Sequence, residues 1–408
     1  MTGSKRPRLF YGYIIVIAAF LIQMIGWGVV QTFGVFLNPL LDDFGWSRAM
    51  VSGAVSVNFI LYGFFGVYSG RLGDRFGPRL VMTVCGIFLG LGCLVMSQIG
   101  EVWQLYLAYG VLVAMGTSGV DVVLLATVAR WFKKKRGAMS GLAKVGAGAS
   151  MFLMPIVVRW LISSYGWRNA YIFLGSFVLI FLVLVAQLLS RDPSRKGLLP
   201  DGVRDEGALV TEVSEAGLTL VEAMRTRQFW MFCGVSFCIF FCAHTLTVHI
   251  VAHAIALGVV AMTSAGVLST VGAVSIAGRL LMGNVGDRIG NRKGLLIGFT
   301  VMAAGIFWLQ GADTAPGLYL YALLYGFAHG AFFALISPMV ADLFGLKAQG
   351  TILGIVIFVG TFGGAAGAFL AGKVFDLSGT YLQAFLICAL LAVAAFVILL
   401  LIKPVRKA

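Results

Sequence analysis

Gly70-Arg71-Leu72-Gly73-Asp74-Arg75-Phe76-Gly77-Pro78-Arg79 and Gly283-Asn284-Val285-Gly286-Asp287-Arg288-Ile289-Gly290-Asn291-Arg292 are two copies of one short pattern, 213 residues apart in a chain of 408. A single loop of this composition says little. Its duplication at matched places in the two halves predicts an internal repeat, with two bundles related by an axis along the membrane normal and a central site between them. The glycines permit tight turns and close helix approach. Asp74 and Asp287 are suited to accept hydrogen bonds from a neighbouring helix terminus or an arginine, and with Arg75 and Arg288 they are the candidate gate loops.

Outward from the repeat, the chain reads as membrane throughout. Hydrophobic residues make up 60% of it, charged residues 11%, and the mean hydropathy is +0.97. A soluble domain carries about 25% charged residues, so a water-soluble enzyme is excluded. At roughly 20 apolar residues per crossing, the apolar runs predict helices over 12–36, 50–69, 79–99, 103–129, 137–163 and 168–189. A second six follows over 228–256, 260–283, 293–311, 316–342, 349–375 and 380–402. The expected fold is an all-α membrane protein of twelve transmembrane helices in two pseudo-symmetric six-helix bundles, residues 1–189 and 228–408. Residues 190–227 form a polar linker with room for one surface helix.

Lys and Arg outnumber Asp and Glu by 30 to 16. The surplus lies almost wholly in the segments that share a side with residue 1; Arg48, Arg159, Arg168 and Lys373 are the bases near the other face. By the positive-inside rule this places both termini in the cytoplasm, and nucleic-acid binding becomes unnecessary. The basic stretch Met1 to Arg8 runs into an apolar span without a small-residue cleavage site and is read as leading into a retained first helix. The six cysteines lack the paired short spacing of a zinc or redox motif.

Asp121, Lys144 and Arg279 are the charged residues well inside predicted helices. Each costs about 2.5–3.5 kcal/mol at the bilayer centre on insertion scales, and such residues usually face a cavity. Arg279 lies eight residues before Asp287, roughly 12 Å inside the boundary. Ser275 and Gly272, one and two turns earlier, leave room beside it. A planar, permanently charged fork is the group best suited to a carboxylate; the bland alternative is an interhelical arginine satisfied by carbonyls. Asp121 and Lys144 match in depth within roughly 2 Å, which suits an ion pair; the alternatives are a coupling proton on Asp121 or Lys144 as a second anion ligand. The four histidines (His244, His249, His253, His329) all lie in the C-terminal half. His249 and His329 are candidates for substrate orientation or proton relay. Cys238, Cys242, His249 and His253 share a helix face but extend over about 22 Å, too far for one ion, so no metal and no cofactor is expected. Gln31, Asn58, Tyr325, Phe333, Phe358 and Phe362 complete the candidate cavity.

The chain resembles the major facilitator superfamily over essentially its whole length. Within it the likeness is to bacterial relatives of the monocarboxylate transporters and the oxalate:formate antiporter. The residues carrying the closer likeness are Gly34-Val35-Phe36-Leu37 with Gly45-Trp46-Ser47-Arg48, Arg130-Trp131-Phe132 with Arg136-Gly137, and Tyr165-Gly166-Trp167-Arg168. Val248-His249-Ile250-Val251 and Gly278-Arg279-Leu280-Leu281-Met282-Gly283 complete them. The resemblance implies a substrate-binding arginine at Arg279, a cavity lined by the seventh and tenth helices with His329 facing it, and residence in a bacterial cytoplasmic membrane.

The pattern departs at three positions. Animal monocarboxylate transporters carry a lysine near Gln31 and an acid where Ser275 stands, and the antiporter's second base in the eleventh helix has no counterpart between Thr351 and Ala371. One uncommitted positive group favours a monoanion. The expected activity is secondary transport, not catalysis: a small lactate- or pyruvate-like monocarboxylate moved by alternating access, with proton symport as the favoured coupling. A carboxylate exchanger of the oxalate:formate type and a proton-coupled drug or organic-cation exporter using Asp121 are the alternatives. The expected partners are the carboxylate, protons and the lipid bilayer, with a monomer plausible as the oligomeric state.

Overall fold

The computed structural model describes residues 10–202 and 217–403, excluding the side chains of residues 48, 49 and 261. The basic N-terminal stretch and the middle of the linker lie outside the described residues. Eleven helices are long and apolar enough to cross a membrane: α1 (Tyr11–Phe44), α2 (Arg48–Phe76), α3 (Pro78–Met96), α4 (Val102–Trp131), α5 (Arg136–Ala186), α7 (Arg227–Ala256), α8 (Ala261–Ile289), α9 (Asn291–Leu309), α10 (Ala315–Phe344), α11 (Gln349–Ser378) and α12 (Leu382–Leu401). The short α6 (Leu220–Met224) lies in the linker. It is closed at its start by a reciprocal Thr219–Glu222 capping box.

The eleven helices make the expected twelve crossings because α5 carries two. Its 51 residues would extend about 76 Å if straight, roughly two and a half times the hydrocarbon thickness. The backbone breaks at Gly166, at φ 79° and ψ 162°, so the predicted fifth and sixth helices are limbs of one run. The first helix is longer than its apolar pattern, running through Pro39 to Phe44, where Gly45 in the left-handed region ends it.

The sequence repeat is also a repeat of backbone geometry. Gly77 (φ 89°) caps α2 through its N–H to the Gly73 carbonyl, and Gly290 (φ 96°) caps α8 through its N–H to the Gly286 carbonyl. A positive φ is what glycine supplies without steric cost, and it turns each chain directly into α3 or α9. The two halves meet where α2 packs on α11 and α5 on α8. Small residues allow these close approaches. A Cβ at Gly350 would stand 2.9 Å from the Gly70 carbonyl oxygen, and one at Gly354 2.9 Å from that of Gly66.

Candidate functional site

At the end of the molecule carrying the repeats, each aspartate reaches the opposite half. Asp74 accepts from the backbone N–H of Gly350 (3.2 Å) and Thr351 (2.8 Å), and from the Thr351 hydroxyl (2.9 Å), at the start of α11. Asp287 accepts from the N–H of Gly137 (2.6 Å) and Ala138 (2.8 Å) at the start of α5. Helix N-termini present unsatisfied N–H groups and a partial positive charge, so a carboxylate is the fitting cap. Asp74 is also paired with Arg130 Nη2 at 3.1 Å, and that nitrogen donates to the Leu346 carbonyl. Arg75 and Arg288 are exposed, the former over the Phe76 ring.

Between the halves lies a cavity of about 240 Å³ lined by residues of α1, α2, α4, α5, α7, α8 and α10. Arg279, Lys144 and Asp121 all face it, each at most 4% exposed. The three charges are treated differently. Asp121 is saturated: Oδ1 takes the Lys144 ammonium, Gln23 Nε2 (2.9 Å) and Trp27 Nε1 (3.3 Å), and Oδ2 takes the Tyr62 hydroxyl (2.8 Å). The Lys144 ammonium also lies 5.3 Å from the centre of the Phe333 ring. Pairing offsets much of the desolvation cost of both ions.

Arg279 has no such partner. Among the described residues no carboxylate lies within 4.0 Å of its nitrogens, and no hydrogen bond reaches it; Nε and Nη1 are buried and unsatisfied. Gly148 on α5 makes room for the fork, since a Cβ there would collide with Nη1. Lys144 and Asp121 cancel, so the formal charge these three leave to the cavity is that of one guanidinium.

Several sequence candidates do come to this cavity: Arg279, Ser275, His329, Gln31, Phe333, Asp121 and Lys144. Others do not line it. Asn58 directs its amide to the Tyr109 carbonyl at 2.7 Å. Tyr325 is buried in α10, its ring stacked on Tyr321. Phe358 and Phe362 cluster with the exposed Phe64, and Phe362 is itself 50% exposed. His249 lies against Tyr381 and donates from Nε2 to the Ala368 carbonyl at 3.0 Å. These departures share a reason: a helix periodicity tells which residues share a face, and only packing tells which face meets the seam.

Among the lining residues that escaped the sequence reading as site residues are Trp27, Phe59, Tyr62, His244 and Thr247. A signal was present for the first. Gln23, Trp27 and Gln31 recur every four residues on α1, a polar and aromatic stripe on one face.

Comparison with known proteins agrees with this architecture. The family profile of the Major Facilitator Superfamily matches residues 15–284 and 261–408, and the chain belongs to that family. Among similar sequences, cattle monocarboxylate transporter 13 is 28% identical over 398 residues, covering 94% of this chain and 87% of that protein. The oxalate:formate antiporter of Oxalobacter formigenes is 29% identical over 308 residues, covering 74% and 69%. Among solved structures, a human organic anion transporter superimposes with a TM-score of 0.75 at 16% identity, covering 97% of this chain and all of that one. The Escherichia coli fucose:proton symporter gives 0.72 at 16%, covering 95% and 98%. The protein is a multi-pass membrane transporter of this fold, not an enzyme.

Proposed function

We propose that the protein is a secondary transporter of small organic monocarboxylates, lactate- or pyruvate-like, working by alternating access with proton symport. The observation that carries the reading is the buried, unpartnered Arg279 fork in a cavity whose other cation is already neutralised. An uncompensated guanidinium away from water is costly, and a carboxylate supplies both the charge and the two acceptors that its fork geometry matches. Ser275, His329 and Gln31 orient the guest, and Phe333 with Trp27 walls its apolar side. The relatives named for monocarboxylates and for oxalate and formate support the same substrate class.

Coupling to protons follows from electrostatics. Bringing an anion alone into a negative-inside cell opposes about 2.3 kcal/mol per 100 mV; a co-transported proton removes that opposition. Asp121, with Lys144 as its counter-ion, and His329 are the proton sites inside the cavity. Two-point binding of a dicarboxylate, as an oxalate exchanger would use, needs a second uncommitted base, and Lys144 is committed to Asp121. The cation-exporter alternative needs an acid free to meet a cation, and Asp121 already has four donors.

Residues 1–189 and 228–408 form the two moving bundles, joined by 190–227, with both termini on the cytoplasmic side of a bacterial inner membrane. In this arrangement the Asp74 and Asp287 contacts serve as the latch of the cytoplasmic end, closed in the outward-facing state of the cycle. Proteoliposomes with an imposed pH gradient test the proposal. Saturable lactate or pyruvate uptake is expected, abolished by Arg279→Ala and by collapse of the gradient. Normal uptake by Arg279→Ala would reject the site, and indifference to the gradient would reject symport.

A further inference from the structure

We infer that His244 is a substrate-reading residue of this cavity, making it select monocarboxylates that carry a hydroxyl over those that carry a keto oxygen in its place. The inference rests on the carboxylate reading above and adds to it the identity of the second group recognised.

The argument starts from the tautomer. His244 Nδ1 lies 3.1 Å from the Phe240 carbonyl oxygen, one turn back on α7. A carbonyl oxygen only accepts, so Nδ1 carries the hydrogen. The neutral ring then has its lone pair on Nε2, an atom with no protein partner among the described residues. The ring is held in place, its centre 4.4 Å from that of Phe59 on α2 and its plane within 11° of Phe240. His244 lines the same cavity as Arg279. It therefore presents a fixed acceptor to the guest.

Ser275 reinforces the pattern. Its hydroxyl donates to the Gly272 carbonyl at 2.7 Å, which leaves the oxygen only lone pairs to offer. The uncommitted positive donor of the site, Arg279, suits the carboxylate end, Lys144 being held by Asp121. The neutral groups with settled hydrogens, His244 and Ser275, accept. Thr247 is the lining hydroxyl that remains able to do either. A hydroxyl on the substrate satisfies an acceptor; a keto oxygen set against the Nε2 lone pair does not, and leaves both desolvated without a bond. Sites built to hydrogen-bond a substrate O–H discriminate strongly against analogues that lack it.

The test uses the purified full chain and two matched pairs, lactate with pyruvate and 3-hydroxybutyrate with acetoacetate. Affinities are measured by calorimetry. The expected result is a preference of about tenfold or more for the hydroxy acid in at least one pair. His244→Phe, which keeps the ring against Phe59, should bring that pair within about twofold by weakening the hydroxy acid alone. His244→Gln, whose amide oxygen restores an acceptor, should recover most of the preference. Equal affinities within both pairs in the unaltered protein, or an undiminished preference in His244→Phe, would overturn the inference while leaving Arg279 as the carboxylate ligand. Should His244→Phe not fold, the unaltered protein's ratios and His244→Gln decide. Absence of binding by any of the four acids would instead reject the carboxylate reading itself, and this inference with it.

Discussion

Asp74 and Asp287 occupy the same place in the two halves, and each binds the helix start that is the other's own equivalent. Asp287 takes the N–H groups of Gly137 and Ala138; Asp74 takes those of Gly350 and Thr351, again 213 residues on. The molecule is thus clamped at one end by two pseudo-symmetric contacts, each between a carboxylate and a helix N-terminus.

Neutralising the clamps should loosen that end. In the double variant Asp74→Asn/Asp287→Asn, each lost charge-assisted contact weakens closure by roughly 1–3 kcal/mol. Spin labels at the exposed positions 71 and 347 should report a population with longer separation. An unaltered distance distribution would mean that helix packing alone holds the end shut.

The aspartates and their equivalence were legible in the primary structure, but their partners were not. Sequence offset relates Gly137 to Gly350 as it relates Asp74 to Asp287. Which helix start faces which loop is a property of how the two bundles dock, and no local periodicity encodes docking.

Arg279→Lys separates charge from shape. A lysine keeps the positive charge but loses the fork that holds a carboxylate through two parallel bonds. Substrate affinity should fall about tenfold, less than for Arg279→Ala. Equal losses in the two variants would indicate that fork geometry rather than charge dominates binding.

Asp121 and Lys144 should behave as a unit. Removing one partner leaves a buried unpaired ion, at a cost of about 3–5 kcal/mol. Asp121→Asn and Lys144→Met should each lower the unfolding temperature in detergent, and Asp121→Asn/Lys144→Met should regain most of the loss. Strict additivity in that cycle would show that the two groups are not coupled. If the pair carries the proton, the double variant should also retain substrate exchange while losing uptake driven by a pH gradient.

Gly166→Ala tests the break in α5. A Cβ there meets nothing within 4 Å, so the cost is that of the backbone alone, φ 79° with ψ 162°, a region essentially kept for glycine, about 1–3 kcal/mol. A small drop in unfolding temperature with transport intact is expected. Gly350→Ala, where a Cβ would meet the Gly70 backbone, should instead shift the protein away from the closed end. No change in the spin-label distances for that variant would argue that the seam yields without opening.

The amino-acid sequence alone determined the membrane class, the twelve crossings, the duplicated Asp-Arg loops and the three intramembrane charges. Each depends on composition or on a repeat along the chain, because a charge is costly in lipid wherever the helix later packs. Tertiary structure decided the rest. It joined the fifth and sixth crossings at Gly166, turned Asn58, Phe358 and Phe362 away from the cavity lining, and brought Trp27, Tyr62 and His244 to it. It also set Asp121 against Lys144 while leaving Arg279 alone. Those outcomes depend on which helix faces pack together, within one bundle for Asp121 with Lys144 and Asn58 with Tyr109, and across the seam for the lining shared by Trp27, His244 and Arg279, and no periodicity along a single helix encodes either.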